Sequence, residues 1–363
     1  MLCAAGLQHS WRTAGGRTSS RDWRNLFSRL RRRAHRRLGR WRQPHPGQPY
    51  DRPGAPLERH RMVNPEYVGV GGIIIDDIVF PNGSTHLEVL GGGVVHAAAG
   101  MHLWGQRAGI VACAGHDLPL SARQRLERDF DVQGIIWLDL PQARAWQLFE
   151  WDGRRNEVFR VDILRPFIYD PSPDQVPPAY HTAKAIHLLR DAVSLPAWRQ
   201  LYPNATLLWE PLQQYMIPPN ADEFRASLTH IDIVSPNWLE AQAIYNITEP
   251  EKLVRAMLDD GAAIAALRMG EAGSMVGQRG SDSVITLPAV PVPHIADQTG
   301  AGNTYCGGFL VGWVETHDLL TAACYGGVAA SFSLEVIGVA DPPANKHQLR
   351  DERYAWLRAQ VEA

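Results

Sequence analysis

Asp297-Gln298-Thr299-Gly300-Ala301-Gly302-Asn303 is the stretch whose reading decides the fold. Its small residues let the backbone approach a ligand closely. Tyr305, Phe309, Leu310, Trp313 and Val314 follow, so the turn opens an apolar helix. Free N–H groups at a helix start, together with the helix dipole, favour an anion. The oxygens of a transferring phosphoryl group would suit such a nest. The plainer reading is a flexible turn closed by Asn303 as N-cap.

Upstream, short apolar runs alternate with helical stretches. Val68 to Ile75 reads as one buried strand broken by glycines. Further buried strands are expected at Ala108 to Ala112, Ala185 to Leu189, Thr206 to Trp209, Ile231 to Val234 and Ile264 to Met269. Gly91 to Gly105 reads as a helix after its first three glycines, and Asn303 to Glu315 and Leu319 to Leu334 as two late helices. Such alternation predicts an α/β fold with a parallel sheet. Phe80-Pro81-Asn82-Gly83 is turn chemistry. Ala143 to Phe149 and Asn156 to Val161 flank Trp151-Asp152-Gly153 as a hairpin. The segments near 80–90 and 143–161 fit a small antiparallel lid.

Three polar groups accompany these elements. Gly91-Gly92-Gly93 precedes a helix and permits close backbone approach, or is a plain turn. Asp76-Asp77 ends the first strand, where ligands of parallel sheets gather. An Asp there accepts bonds from two sugar hydroxyls, or serves as a cap or turn residue. Asn237 and Glu240 share a helix face and reach a metal-bound water near phosphate. Alternatively they form a capping box.

Composition excludes several classes. The 363 residues are 45% hydrophobic and 20% charged, as in ordinary globular proteins. The net charge of −2 hides an asymmetry: residues 1–62 hold 15 Arg, no Lys and 3 acids, about +12, leaving about −14 for the remainder. This basic leader is set apart from the fold. It reads as a disordered or artefactual leader with Met62 as an alternative start, as a mitochondrial presequence, or as a tail for nucleic acid or a membrane surface. Cys3, Cys113, Cys306 and Cys324 show no CxxC spacing, which argues against a zinc ribbon or a disulfide scaffold. A reducing compartment follows: the cytoplasm, or the mitochondrion if the leader is a presequence. No run approaches 18 apolar residues, so no membrane span is expected. None of the three lysines follows a glycine, which excludes a P-loop. Ile74 stands where a dinucleotide fingerprint beginning at Gly69 needs its third glycine. None of the 14 histidines has metal-ligand spacing.

Together these segments resemble the ribokinase-like (PfkB) carbohydrate kinase family, over roughly residues 66–345. Asp297 through Leu310 is similar to the family's D-x-T-G-A-G-D-x-F-x-G-G-F, and Gly91 through Gly105 to its Gly-Gly signature. Ser235-Pro-Asn-x-x-Glu240 is similar to N-x-x-E, and Leu267 through Gly273 to the T-x-G-x-x-G nucleotide segment. Ile74-Ile-Asp-Asp-Ile78, Trp209-Glu-Pro211 and Leu267-Arg-Met-Gly270 look closest to a fungal branch, the Mak32-like proteins. The resemblance implies a ribokinase-like α/β domain over residues 63–363, with a central mainly parallel sheet, flanking helices and a small β-lid. It implies ATP, Mg2+ and often a monovalent cation such as K+, serving phosphoryl transfer to a hydroxyl of a sugar or nucleoside-like molecule. It implies no membrane or nucleic-acid partner outside the leader, and leaves a homodimer through the lid edge open.

Residue by residue, the resemblance gives Asp76, Gly91, Gly92 and His96 to the substrate, and Arg268, Gly270 and Gly273 to the nucleotide. Asn237 and Glu240 serve Mg2+ indirectly, and Asp297 and Thr299 the monovalent cation. Gly300, Ala301 and Gly302 form the anion hole, and Asn303 stands at the catalytic position. Three departures matter. Asn303 replaces the family's catalytic Asp and cannot take a proton as a carboxylate does. His96 replaces a sugar-contacting Asn, and either contacts ligand or packs. Arg268 replaces a Thr, and pairs with a phosphate or with a nearby acid. A pseudokinase that only binds ligand is therefore the main rival, and a hydrolase on the same scaffold a third reading.

Overall fold

The computed structural model describes residues 64–151, 154–160, 170–341 and 344–362. The expectations for residues 1–62, for the Asp152-Gly153 tip and for Val161 lie outside the described residues.

In chain order the strands are β1 (Tyr67–Val70), β2 (Ile74–Val79), β3 (Thr85–Gly91), β4 (Gly109–Gly115), β5 (Asp131–Leu138), β6 (Arg144–Phe149) and β7 (Arg155–Phe159). They continue with β8 (Ala185–Arg190), β9 (Thr206–Pro211), β10 (Ile233–Val234), β11 (Ile264–Arg268), β12 (Ser274–Gln278) and β13 (Val284–Leu287). The large sheet runs β13-β12-β11-β10-β9-β8-β1-β4-β5. From β11 to β5 all neighbours are parallel, and β12 and β13 extend one edge antiparallel. This is the ribokinase-like α/β fold that the resemblance implied.

Apolar residues on alternate positions bury both faces, as a parallel sheet requires. Leu207 and Trp209 enter the cluster formed with the Leu195–Leu201, Ala221–Ser227, Trp238–Tyr245 and Pro250–Asp259 helices. Leu208 enters the opposite cluster, with the Gly93–Leu103, Ala301–Thr316 and Leu319–Leu334 helices. Glycines bring two of these helices close. A Cβ on Gly307 would strike the Ala97 carbonyl, and one on Gly100 the Thr304 carbonyl. That contact sets the start of the Ala301 helix beside His96.

The smaller sheet runs β3-β2-β6-β7, with β2 and β6 parallel and the other pairs antiparallel. It supplies the expected pair of strands β6 and β7, but the lid is mixed and not antiparallel throughout, because β2 and β6 run parallel; it also corrects a second reading. Val68 to Ile75 is not one strand: β1 ends at Val70 in the large sheet, and β2 starts at Ile74 in the small one. Gly71 and Gly72 allow the crossing. A side chain at Gly71 would press on Val94 and Leu189, at 3.2 and 3.3 Å. Asp76 therefore lies within β2 of the small sheet, not at the carboxyl end of a large-sheet strand. Among the described residues no helix is long and apolar enough to cross a membrane.

Candidate active site

A cavity of about 1500 Å3 lies between the small sheet and the carboxyl ends of β8 to β11. Of the residues singled out from sequence, it brings together Asp76, Gly92, His96, Asn237, Glu240, Arg268, Gly270, Gly273, Thr299, Gly300, Ala301, Gly302 and Asn303. Gly91 and Asp297 are buried and do not line it.

The anion end is the start of the Ala301–Thr316 helix. Gly300 is its N-cap, with φ +75 and no side-chain cap. The first N–H groups of a helix have no partner within it, and here they open on the cavity. A Cβ at Gly300 would strike the His96 ring, so only glycine fits. Asn303 is thus not the N-cap; it sits in the first turn. The donor set suits phosphate oxygens.

His96 is buried, and neither ring nitrogen has a partner. Burial pushes its pKa down to about 4, so the ring is neutral at pH 7, one nitrogen donating and the other accepting. Beyond it Asp76 is 3% exposed, and its Oδ1 accepts from Gln147 Nε2 at 2.8 Å. Burial pushes the Asp76 carboxyl up to about 7, against the Gln147 hydrogen bond. Gln147 Nε2 also donates to Glu157 at 2.9 Å. A Cβ on Gly91 would strike Asp76 Oδ2, so glycine there leaves room for the carboxylate. Asp77 points the other way and pairs with Arg160.

Beneath the glycine turn lies a charged group that sequence reasoning missed. Side chains alternate along strands, so His187 of β8, Glu210 of β9 and Arg268 of β11 all face the Ala301 helix. Arg268 Nη1 meets Glu210 Oε1 at 2.7 Å, and His187 Nε2 meets Oε2 at 2.8 Å. Asn303 lies near enough to favour the charged form of Glu210. Burial alone would raise the Glu210 carboxyl, but Arg268 and His187 outweigh it and bring it down to about 2. Arg268 Nη2 donates to the Ser235 carbonyl at 2.8 Å. Its other nitrogen lies where a Cβ on Gly302 would be. Of the two readings of Arg268, pairing with an acid is the one observed. The one signal in the sequence was a charge inside an apolar run, Leu207-Leu208-Trp209-Glu210. The ligating atoms of His187, Glu210 and Cys306 lie within 4.8 Å of one another. Arg268 already neutralises Glu210, so the group is a hydrogen-bonded network and not a cation site.

Asn237 and Glu240 form the capping box. Asn237 Oδ1 accepts from the Glu240 N–H, and Glu240 Oε2 from the Asn237 N–H, both at 2.8 Å. Asn237 is the cap itself, so the two do not share a helix face as expected. Burial raises the Glu240 carboxyl, with Arg268 opposing. One Glu240 oxygen takes no part in the box and leaves an acceptor for metal-bound water. Gly270 and Gly273, at φ +60 and +88, make the tight turn between β11 and β12. Asp297 accepts from Thr299 N at 2.8 Å and Gly338 N at 3.2 Å, tying two loops together. Thr299 Oγ1 is buried without a partner.

Comparison with known proteins bears on the family and the fold. The model of the pfkB family carbohydrate kinases matches residues 196–346. An uncharacterized protein of Schizosaccharomyces pombe is 26% identical over 312 residues, 76% of this chain and 85% of that one. The cytidine kinase of Thermococcus kodakarensis is 25% identical over 257 residues, 68% of this chain and 88% of that one. Among solved structures, an E. coli protein described as ribokinase II, in complex with ATP and Mg2+, superposes with a TM-score of 0.66 at 17% identity. The match covers 79% of this chain and 99% of that one. The chain thus has a ribokinase-like scaffold, and over residues 196–346 it is similar to the pfkB family carbohydrate kinases.

Proposed function

We propose that the chain is an ATP-dependent phosphotransferase acting on a hydroxyl of a sugar or nucleoside-like small molecule. The observation that carries this reading is the uncapped start of the Ala301 helix, opening on the cavity that also holds Asp76. The likeness to a cytidine kinase supports a nucleoside-like acceptor.

In this reading the Gly300–Gly302 N–H groups and the Gly270–Gly273 turn hold the nucleotide phosphates, and Glu240 with Asn237 holds Mg2+ through water. MgATP supplies the phosphoryl group when bound. Asp76 accepts hydrogen bonds from acceptor hydroxyls, while Gly92 and the neutral His96 line their approach. The helix N–H groups stabilise charge that develops on the transferring oxygens, usually the largest contribution to such catalysis. Asn303 orients the attacking hydroxyl without removing its proton. General-base help is typically worth about 10²–10⁴-fold, so turnover is expected to be slow. The buried, unpartnered Thr299 hydroxyl beside Asp297 supports a K+ site.

We further take residues 63–363 as one domain with the small sheet as its lid. We also keep the Mak32-like assignment on Ile74-Ile-Asp-Asp-Ile78, Trp209-Glu-Pro211 and Leu267-Arg-Met-Gly270; the last two segments meet through the Glu210–Arg268 ion pair. Cys113, Cys306 and Cys324 are buried and form no disulfide, which supports a reducing, cytoplasmic setting. Exposed Leu87, Trp146 and Val158 on the small sheet support pairing with a second copy.

The pseudokinase is the second reading, favoured by the amide at position 303. ATP consumption across a panel of nucleosides and sugars, with melting shifts for each ligand, separates the two. Turnover of at least one acceptor, lost in Gly302→Val, is expected. Ligand-induced melting shifts with no turnover of any acceptor would overturn the phosphotransferase and leave the pseudokinase.

A further inference from the structure

Gln147 joins two carboxylates of the small sheet, and the phosphotransferase reading gives it no task. It is 1% exposed, and with Asp76 and Glu157 it lines the cavity. In register it lies directly opposite Glu157 on β7, and two residues along β6 from Ala145, which pairs with Asp76 on β2. Its Nε2 donates to Asp76 Oδ1 at 2.8 Å and to Glu157 Oε1 at 2.9 Å. An amide NH2 has two hydrogens, and both are used. Flanked by two carboxylates, the amide has only one workable orientation, and its own buried oxygen goes without a partner.

No other side chain among the described residues donates to the Asp76 carboxyl. The charges that face Asp76 do not keep it ionised in place of Gln147. Glu157 and Asp297 repel it, and only Arg155, on the exposed edge strand β7, attracts it. Val89 and Ala145, opposite it in register, carry no charge; His96 is neutral; Asp77 points the other way, to Arg160. Burial already pushes the carboxyl up to about 7 with the Gln147 bond in place. Hydrogen bonding to the charged form favours that form, so without the bond Asp76 would be mostly protonated at neutral pH.

We propose that Gln147 is a positioning residue: anchored on Glu157, its NH2 holds Asp76 as a charged hydrogen-bond acceptor for the hydroxyls of the substrate. This rests on the phosphotransferase reading. A cation in its place would cancel the charge, as Arg268 does for Glu210. A neutral donor stabilises the carboxylate and leaves its charge for the ligand.

Two measurements test the proposal. The first is a 13C NMR titration of the Asp76 carboxyl, assigned by its loss in Asp76→Asn, and it needs no ligand. Gln147→Met keeps the length of the side chain and loses the donor. Gln147→Asn withdraws the donor by one methylene, and serves if the Met variant does not fold. Either is expected to move the midpoint up by about one pH unit. An unmoved midpoint in a folded variant overturns the proposal. The second is KM for adenosine, cytidine and ribose at pH 7 and pH 9. In Gln147→Met, KM for a probe that is turned over should rise about fivefold at pH 7 and return to within about twofold of the wild type at pH 9, where Asp76 ionises unaided. KM for MgATP should stay within about twofold at both. An equal rise of acceptor KM at both pH values would mean a merely packing role and overturn the proposal. A wild type that turns over no probe, with the midpoint still moved, would sink the phosphotransferase reading and leave the hold of Gln147 on Asp76 standing.

Discussion

Asn303 shows why one residue cannot be judged apart from its neighbours. Restoring the family's Asp at this position looks like a repair in sequence. In the structure it sets a second carboxylate against Glu210, and buried like charges raise one another's pKa. Asn303→Asp is therefore expected to destabilise the protein by roughly 2–3 kcal/mol at neutral pH. Glu210→Gln added to it restores a single carboxylate beside Arg268, and should recover most of the loss. Urea melts of the two single variants and the double variant check this; additive losses would contradict it. Asp76 gives a pH-dependent counterpart. Its folded pKa of about 7 stands above the unfolded value near 4, so its contribution favours folding at low pH and is lost as pH rises from about 4 to 7. His96 acts in the opposite sense over the same range, because its folded pKa is lowered to about 4. The Asp76 effect is thus read as a difference: Asp76→Asn should gain stability relative to the wild type as pH rises from 5 to 8. Parallel melting curves for the two proteins would remove Asp76 as the buried acid.

Each site element carries a local device that fixes its side chains. The Ala301 helix begins at a glycine with φ +75, and its missing side chain is replaced by the His96 ring. Gly300→Ala meets both backbone strain, about 1 kcal/mol, and that ring. It is expected to lower stability by more than this and to weaken binding of a non-hydrolysable ATP analogue, measured by calorimetry. The capping box divides structure from function at the Trp238–Tyr245 helix. Asn237→Ala should cost about 1 kcal/mol, and Asn237→Ser should restore it, since serine caps well. If Asn237 also serves the metal, the Ser variant keeps a raised KM for MgATP; a normal KM would leave it only the cap. These elements also show what the sequence made legible. The Gly300–Asn303 turn, the glycines before the Gly93 helix and the box at Asn237 were readable because each is a local pattern. The break after Val70 was not, since an apolar run with two glycines does not say which sheet each half joins. Glu210 and His187 were hidden for a related reason: their meaning depends on β8 and β9 lying side by side, with β11 two places further along the same sheet. Strands β5, β12 and β13 were not read from the sequence; they lie at or next to the two edges of the large sheet and are only partly buried, unlike its central strands.

At the scale of the whole molecule, two unlike surfaces meet at one cavity. The large sheet contributes the anion end through its carboxyl edges and the Ala301 helix, and the small sheet contributes Asp76 and Gln147. The two sheets are joined by Gly71 and Gly72 and by β3 running into the Gly93 helix, so the acceptor end hangs from the elements that frame the phosphate end. A ligand that binds only the folded state stabilises it by about 2.7 kcal/mol at a hundred times its Kd. The two ends should be separable by this measure. Asp76→Ala is expected to abolish the melting shift given by a nucleoside or sugar acceptor while keeping that of MgATP. Gly302→Val, whose side chain would collide with Arg268, should do the reverse. A variant at one end that removed both shifts equally would mean that the cavity is a single binding unit. Acceptor and nucleotide would then be held by the same groups, and the division of labour between the sheets would fall.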